Sequence, residues 1–279
     1  MKDHFRTAVI DGLDTGYYEA GSGPTVVLLH GGEHGSSAEL TWEFNFHALA
    51  GGFHVIAPDW LGFGTTAKVH DFELGAQRRL AHMQRFLAYK EIDKADLIGC
   101  SMGGALAVRA LSADSRSLPA RSLVLIGSGG NAPDNIFRRA LLDYDCTISG
   151  MRKIVEALIH DPSWSRNDAY VERRFRSSIE PGAWECSAAA RFKNPLVSVR
   201  SEFGQVDTTR YENIDIPVLV IGGEFDVLKE PGYAPHLARR FPRGEAYTVP
   251  NAGHLSNIEQ ADEVNGNIIA FLRRVNGNS

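Results

Sequence analysis

Five short apolar runs, each ended within two residues by Gly or Pro, constrain this chain more than any other feature. They span residues 25–29, 55–57, 95–98, 123–126 and 218–221. Each is too short for a helix and rich in Val, Leu and Ile without alternation, the pattern of a strand buried on both faces. Between them lie stretches with helical spacing: 74–87, with apolar residues at 80, 83, 86 and 87, then 102–111, 231–241 and 261–272. Strands alternating with helices predict an α/β fold with a mainly parallel central sheet flanked by helices. Ligands of such sheets bind outside the carboxyl ends of the strands. Functional residues are therefore sought just past each run.

One region breaks the alternation. From 131 to 208 there is no strand-like run, and the segment is rich in Arg, Ala and aromatics, with helical stretches at 150–160 and 169–179. The expected organisation is a core domain built from 1–130 and 209–279, with 131–208 as a helical cap (lid) inserted between two strands. The alternative is a set of extra helices on the sheet edge. The whole chain has 279 residues, 43% hydrophobic and 23% charged, long enough to bury a sizeable core.

The same composition excludes several function classes. A net charge of -5 offers no basic footprint for nucleic acid. No stretch approaches the roughly 18 apolar residues of a membrane span, and the polar start MKDHFRTAVIDG lacks the apolar stretch of a signal peptide. Cys100, Cys146 and Cys186 are odd in number and scattered, which suggests no disulfide framework and a cytoplasmic location. The histidines show no metal-ligand spacing, and neither a dinucleotide fingerprint nor a phosphate loop occurs. No metal and no cofactor are expected.

The chemistry gathers at four strand ends. Gly99-Cys100-Ser101-Met102-Gly103 follows one predicted strand and opens a predicted helix. A serine there sits on a sharp turn that lifts its hydroxyl above the sheet. The glycines at 99 and 103 let strand and helix approach, and the Met102 N–H faces the place where an oxyanion forms. A serine nucleophile needs a base, and the base an orienting carboxylate. His254, in Asn251-Ala252-Gly253-His254, reads as the base. Asp226, in Gly222-Gly223-Glu224-Phe225-Asp226, reads as the carboxylate, with Glu224 and Asp134 as competitors. The run 25–29 ends in His30-Gly31-Gly32. Gly32 is expected to supply the second oxyanion N–H, with Glu33 as the alternative, and His30 to be structural. The Asp59-Trp60-Leu61-Gly62-Phe63-Gly64 turn reads as wall and scaffold, and Cys100 as a small residue beside the site.

These motifs, HGG, DWLGFG, GCSMGG, GGEFD and NAGH in that order, resemble the α/β-hydrolase superfamily over nearly the whole chain. Within it, GFG at 62–64, SMGG at 101–104, the stretch 170–182 and the ending GHLSNIEQADEVNGNIIAFL are similar to the meta-cleavage-product hydrolases. These cleave a carbon–carbon bond in ring-fission products of aromatic catabolism. The resemblance implies a small-molecule substrate, allows a homodimer, and points to a cap arginine that binds the substrate's dienoate. Arg174 is the best match and Arg173 its alternative. Gly31, Cys100, Leu255 and Trp184 are expected to line the substrate site, with Trp164, Phe175 and Phe192 as further wall candidates. The chain departs from the group at three positions that line the site. It has HGGEHG where the group usually has HGGGPG, Cys100 where it has Asn before the serine, and Leu255 where it has Trp after the histidine. The nearest rival activity is an esterase or lactonase using the same three residues. A small-ligand receptor that keeps the triad is the non-enzymatic rival.

Overall fold

The computed structural model describes residues 1–72, 74–113, 117–189 and 203–277. Each of the five runs becomes a strand: β3 (Thr25–Leu29), β4 (His54–Pro58), β5 (Ala95–Cys100), β6 (Ala120–Ile126) and β7 (Val218–Gly223). A sixth, β8 (Gly244–Val249), precedes the Asn251–His254 turn. Two more, β1 (Phe5–Ile10) and β2 (Leu13–Ala20), form an N-terminal hairpin that the reading of the start as merely polar passed over. Its signal was present. Asp11 and Gly12 take φ of 48° and 78° at the turn, and an Asp-Gly pair is the residue choice that a two-residue hairpin turn demands.

All eight strands join one sheet in the order β1-β2-β4-β3-β5-β6-β7-β8. Only β2 runs against its neighbours; β4, β3, β5, β6, β7 and β8 pair in parallel. Successive residues of the central strands feed opposite layers. Val26, Leu28, Ile98 and Val124 pack into one core cluster; Val27, Leu29, Leu97 and Leu123 pack into the other. Both faces are therefore apolar, which is why these runs show no alternation.

The helices Gly75–Tyr89, Met102–Ser112 and Ala261–Val275 follow the expected spacing. The helix expected over 231–241 is shorter, Tyr233–Ala238. Gly232, left-handed at φ 69°, precedes it, and the chain then tightens into i→i+3 bonds at Arg240 and Phe241. Between β6 and β7 the described residues form the helices Ile136–Leu142, Ile148–Leu158, Pro162–Arg166, Asp168–Ser178 and Ala183–Ala188, and no strand. They pack over the loops at the carboxyl edge of the sheet. Leu255 N–H donates to Leu158 O at 3.0 Å, and Arg173 reaches Glu43. No described helix is long and apolar enough to cross a membrane.

Candidate active site

Ser101 joins β5 to the helix Met102–Ser112 with φ 47° and ψ -115°, a strained conformation for a residue with a Cβ. The neighbouring glycines explain why the chain tolerates it. A Cβ on Gly99 would lie 2.4 Å from Gly104 Cα, and one on Gly103 would lie 2.2 Å from Leu29 O. The turn is held from β6: Ser101 N–H donates to Ile126 O at 2.9 Å, and Ser128 Oγ donates to Ser101 O at 2.6 Å. The strain thus lifts a half-buried hydroxyl off the sheet edge and fixes it there.

Two other strand ends meet that hydroxyl. Ser101 Oγ lies 2.9 Å from His254 Nε2, and His254 Nδ1 lies 2.8 Å from Asp226 Oδ2. With Nδ1 protonated toward the carboxylate, Nε2 is free to accept the serine proton. Asp226 is 7% exposed and His254 2% exposed. The other oxygen, Asp226 Oδ1, accepts the Leu228 N–H at 2.9 Å, so the carboxylate cannot swing away. The competitors lie elsewhere. Glu224 is exposed and caps Asn251 N–H at 3.2 Å; Asp134 is exposed and sits 3.5 Å from Arg139.

The β3 end closes the third side. A Cβ on Gly32 would lie 2.9 Å from Met102 Cβ, so the Gly32 backbone packs directly against the Met102 side chain. Met102 is the first residue of its helix, and the first N–H groups of a helix have no intrahelical acceptor. His30 is structural: Nδ1 donates to Gly31 O at 2.7 Å and Nε2 accepts the Trp60 N–H at 2.9 Å. Asp59 likewise spends both oxygens on backbone, at Ala38 N–H (2.7 Å) and Thr65 N–H (2.8 Å).

Residues 26–266 match the sequence profile of the Alpha/beta hydrolase family. The chain belongs to this family. It is 31% identical, over 94% of its length and 89% of the relative's, to 2-hydroxy-6-oxo-6-(2'-aminophenyl)hexa-2,4-dienoic acid hydrolase of Metapseudomonas resinovorans. It is 33% identical, over 91% of both chains, to 2-hydroxy-6-oxo-2,4-heptadienoate hydrolase of Pseudomonas putida. Among solved structures, a meta-cleavage product hydrolase from Pseudomonas fluorescens superposes with a TM-score of 0.82 at 26% identity, covering 96% of this chain and 97% of that one.

In this hydrolase the two candidate arginines have opposite surroundings. Arg173 points outward and pairs with both oxygens of Glu43 at 2.8 Å. Arg174 is fully buried: Nη1 donates to Glu33 Oε1 at 3.0 Å and Nε to Tyr170 Oη at 2.9 Å. Burial opposes the charge on Glu33, but Arg174 and the Glu33 backbone N–H outweigh it and hold the carboxyl below its ordinary value. Cys100 and Leu255 are fully buried too. Burial, with Glu33 nearby, pushes the Cys100 thiol well up, and Sγ sits 3.9 Å from Asn257 Oδ1. A thiol kept protonated is a packing group, not a rival nucleophile. Gly31 is buried against Ser101, with a Cβ there placed 3.6 Å from Ser101 Cβ. Trp184, Trp164 and Phe175 are partly buried against the core, and Trp184 Nε1 donates to Tyr144 O at 3.4 Å. Phe192 lies outside the described residues. Arg174, Cys100 and Leu255 show essentially no accessible surface, so a ligand touches them only after side chains shift.

Three partners carry no local signal in the sequence because each acts across a long stretch of chain. Glu33 was considered only for its N–H, whereas its carboxylate meets Arg174 141 residues away. Glu259 accepts from the N–H groups of Gly253 at 2.7 Å, His160 at 3.1 Å and Asp161 at 2.5 Å, tying the histidine turn to the inserted helices. Lys229 donates to Gly129 O at 2.6 Å. Burial, only partly countered by nearby Asp226, brings its pKa down to about 8. Among the described residues no group of three His, Cys, Asp or Glu is placed to hold a metal ion.

Proposed function

We propose that this hydrolase uses Ser101, His254 and Asp226 as a catalytic triad to cleave a carbon–carbon bond in a meta-ring-fission product of the 2-hydroxy-6-oxo-dienoate type. The observation that carries the reading is the unbroken relay from Asp226 Oδ2 through His254 to Ser101 Oγ, at 2.8 and 2.9 Å, on a strained elbow. The relatives' names supply the substrate class, since two of them at 31% and 33% identity are named hydrolases of such dienoates.

The resemblance to the meta-cleavage-product hydrolases implies how these positions would be used. A carbon leaving group departs only when it can delocalise charge, so the dienol ketonises first, with His254 moving the proton. Ser101 then gives its proton to His254 and attacks the distal carbonyl. The Met102 and Gly32 N–H groups receive the oxyanion. The carbon–carbon bond breaks, the leaving dienolate takes the proton held on His254 and departs as a dienol, and water, giving its proton to His254, releases the acyl group from Ser101 as a carboxylic acid. The segment 131–208 acts as the cap that excludes bulk water, with Arg174 and Trp184 on the substrate side alongside Gly31, Cys100 and Leu255. The setting is cytoplasmic aromatic catabolism.

The test is loss of the visible absorbance of a ring-fission dienoate on adding the protein. Decay that disappears in Ser101→Ala supports the reading. Turnover of p-nitrophenyl esters with an unchanged dienoate spectrum replaces it with an esterase using the same triad.

A further inference from the structure

The ion pair between Glu33 and Arg174 stands out because of where it lies. The two side chains are 3% and 0% exposed and 3.0 Å apart. The point beside Gly31 where a Cβ would sit is 2.4 Å from Glu33 Oε2 and 3.6 Å from Ser101 Cβ. The carboxylate and the nucleophile therefore both flank Gly31. The guanidinium enters from the helix Asp168–Ser178, on the same face as Tyr170, whose ring centroid lies 5.4 Å from Arg174 Cζ.

A pair that served only to tie the inserted helices to the core would use all its donors, since a buried N–H without an acceptor is costly. Arg174 does not. Nη1 goes to Glu33 and Nε to Tyr170, while Nη2 is buried with no hydrogen-bond partner among the described residues. One edge of the guanidinium thus lacks an acceptor, and an oxygen that reaches it once side chains shift meets a charge already balanced by Glu33.

We infer that Glu33 is a specificity-determining residue. By neutralising Arg174 in advance, it lets a substrate bound at Ser101 present to Arg174 an uncharged oxygen of a ketone, ester or amide as well as a free carboxylate. A second carboxylate brought to Arg174 gains one hydrogen bond at Nη2 but meets the Glu33 charge in a dry site, where like charges repel strongly. The substrates of this chain therefore extend beyond acids to neutral 1,5-diketones and esters of the same shape. This rests on the reading of Ser101 as nucleophile and of Arg174 as the residue facing the far end of the substrate.

The test uses benzoate and benzamide, matched in shape and different in charge, as competitive inhibitors of p-nitrophenyl ester hydrolysis. In the wild-type protein the two inhibition constants agree within about threefold. In Glu33→Gln the ratio shifts at least about tenfold toward benzoate, because Arg174 is then uncompensated. A wild-type preference for benzoate above tenfold overturns the inference, as does an unchanged ratio in a folded Glu33→Gln protein. If that variant is too unstable to assay, thermal denaturation of the wild-type protein decides: a Tm raised equally by benzoate and benzamide supports the inference, and a rise with benzoate alone overturns it. The ratio is read from ester hydrolysis or from Tm. A failure of dienoate turnover, which would sink the carbon–carbon reading, is thus seen separately.

Discussion

At the carboxyl edge of the sheet, Ser101, His254 and Asp226 stand on turns whose shapes depend on residues one or two positions away. Above them, the inserted helices deliver Arg174, whose surroundings are set by Tyr170 one turn earlier and by Glu33 141 residues earlier. The elbow can be read locally because its requirement is steric: only glycine fits at 99 and 103 beside backbone 2.4 and 2.2 Å away. The insertion cannot be read that way. Arg173 and Arg174 are adjacent and of one type, yet one faces solvent and the other has none of its surface exposed. Local rules thus fix the serine elbow, and long-range packing fixes what lies above it.

This contrast can be broken or sharpened by measurement. The largest effect is expected at the elbow: Ser101→Ala should lower kcat on ester or dienoate by at least about 10⁴-fold with the fold intact, checked by steady-state kinetics beside circular dichroism. A residual rate within tenfold of wild type would remove Ser101 from the mechanism. Next, Asp226→Asn should cost about 10³- to 10⁴-fold in kcat by misdirecting the His254 tautomer. Glu224→Gln, on the same turn but exposed, should cost less than about threefold, because its side chain touches Asn251 N–H, from which the amide oxygen can also accept, and not His254. Comparable losses in both would mean that the turn as a whole, and not the Asp226 carboxylate, is what matters.

The insertion is tested by its two arginines. Arg174→Ala leaves Glu33 as an unpaired buried charge and should destabilise the chain by about 3–5 kcal/mol in urea unfolding. Arg173→Ala breaks a pair whose arginine is 50% exposed and should cost less than about 1 kcal/mol. Equal losses would show that the buried pair carries no special weight. The smallest effect is in pH. Because the folded chain holds the Glu33 carboxyl below its ordinary value, its contribution to stability is complete above the unfolded glutamate pKa of about 4.3. It is lost as pH falls through the lowered folded value. Glu33→Gln should therefore flatten the fall of unfolding free energy below about pH 4.3; an identical acid profile would contradict the pairing.

By itself, the sequence determined the parallel sheet, the serine elbow and the order of its partners. It did so because strands buried on both faces need unbroken apolar runs, and because a strained turn needs glycines at set positions. It also held a readable sign of the N-terminal hairpin in Asp11-Gly12. Only the tertiary structure set Asp226 against His254 and left Glu224 exposed, turned Arg174 inward and Arg173 outward, and brought Glu33 to Arg174. Those choices depend on which side chains are excluded from water together, and burial is a property of the packed molecule that adjacent residues of like chemistry do not reveal.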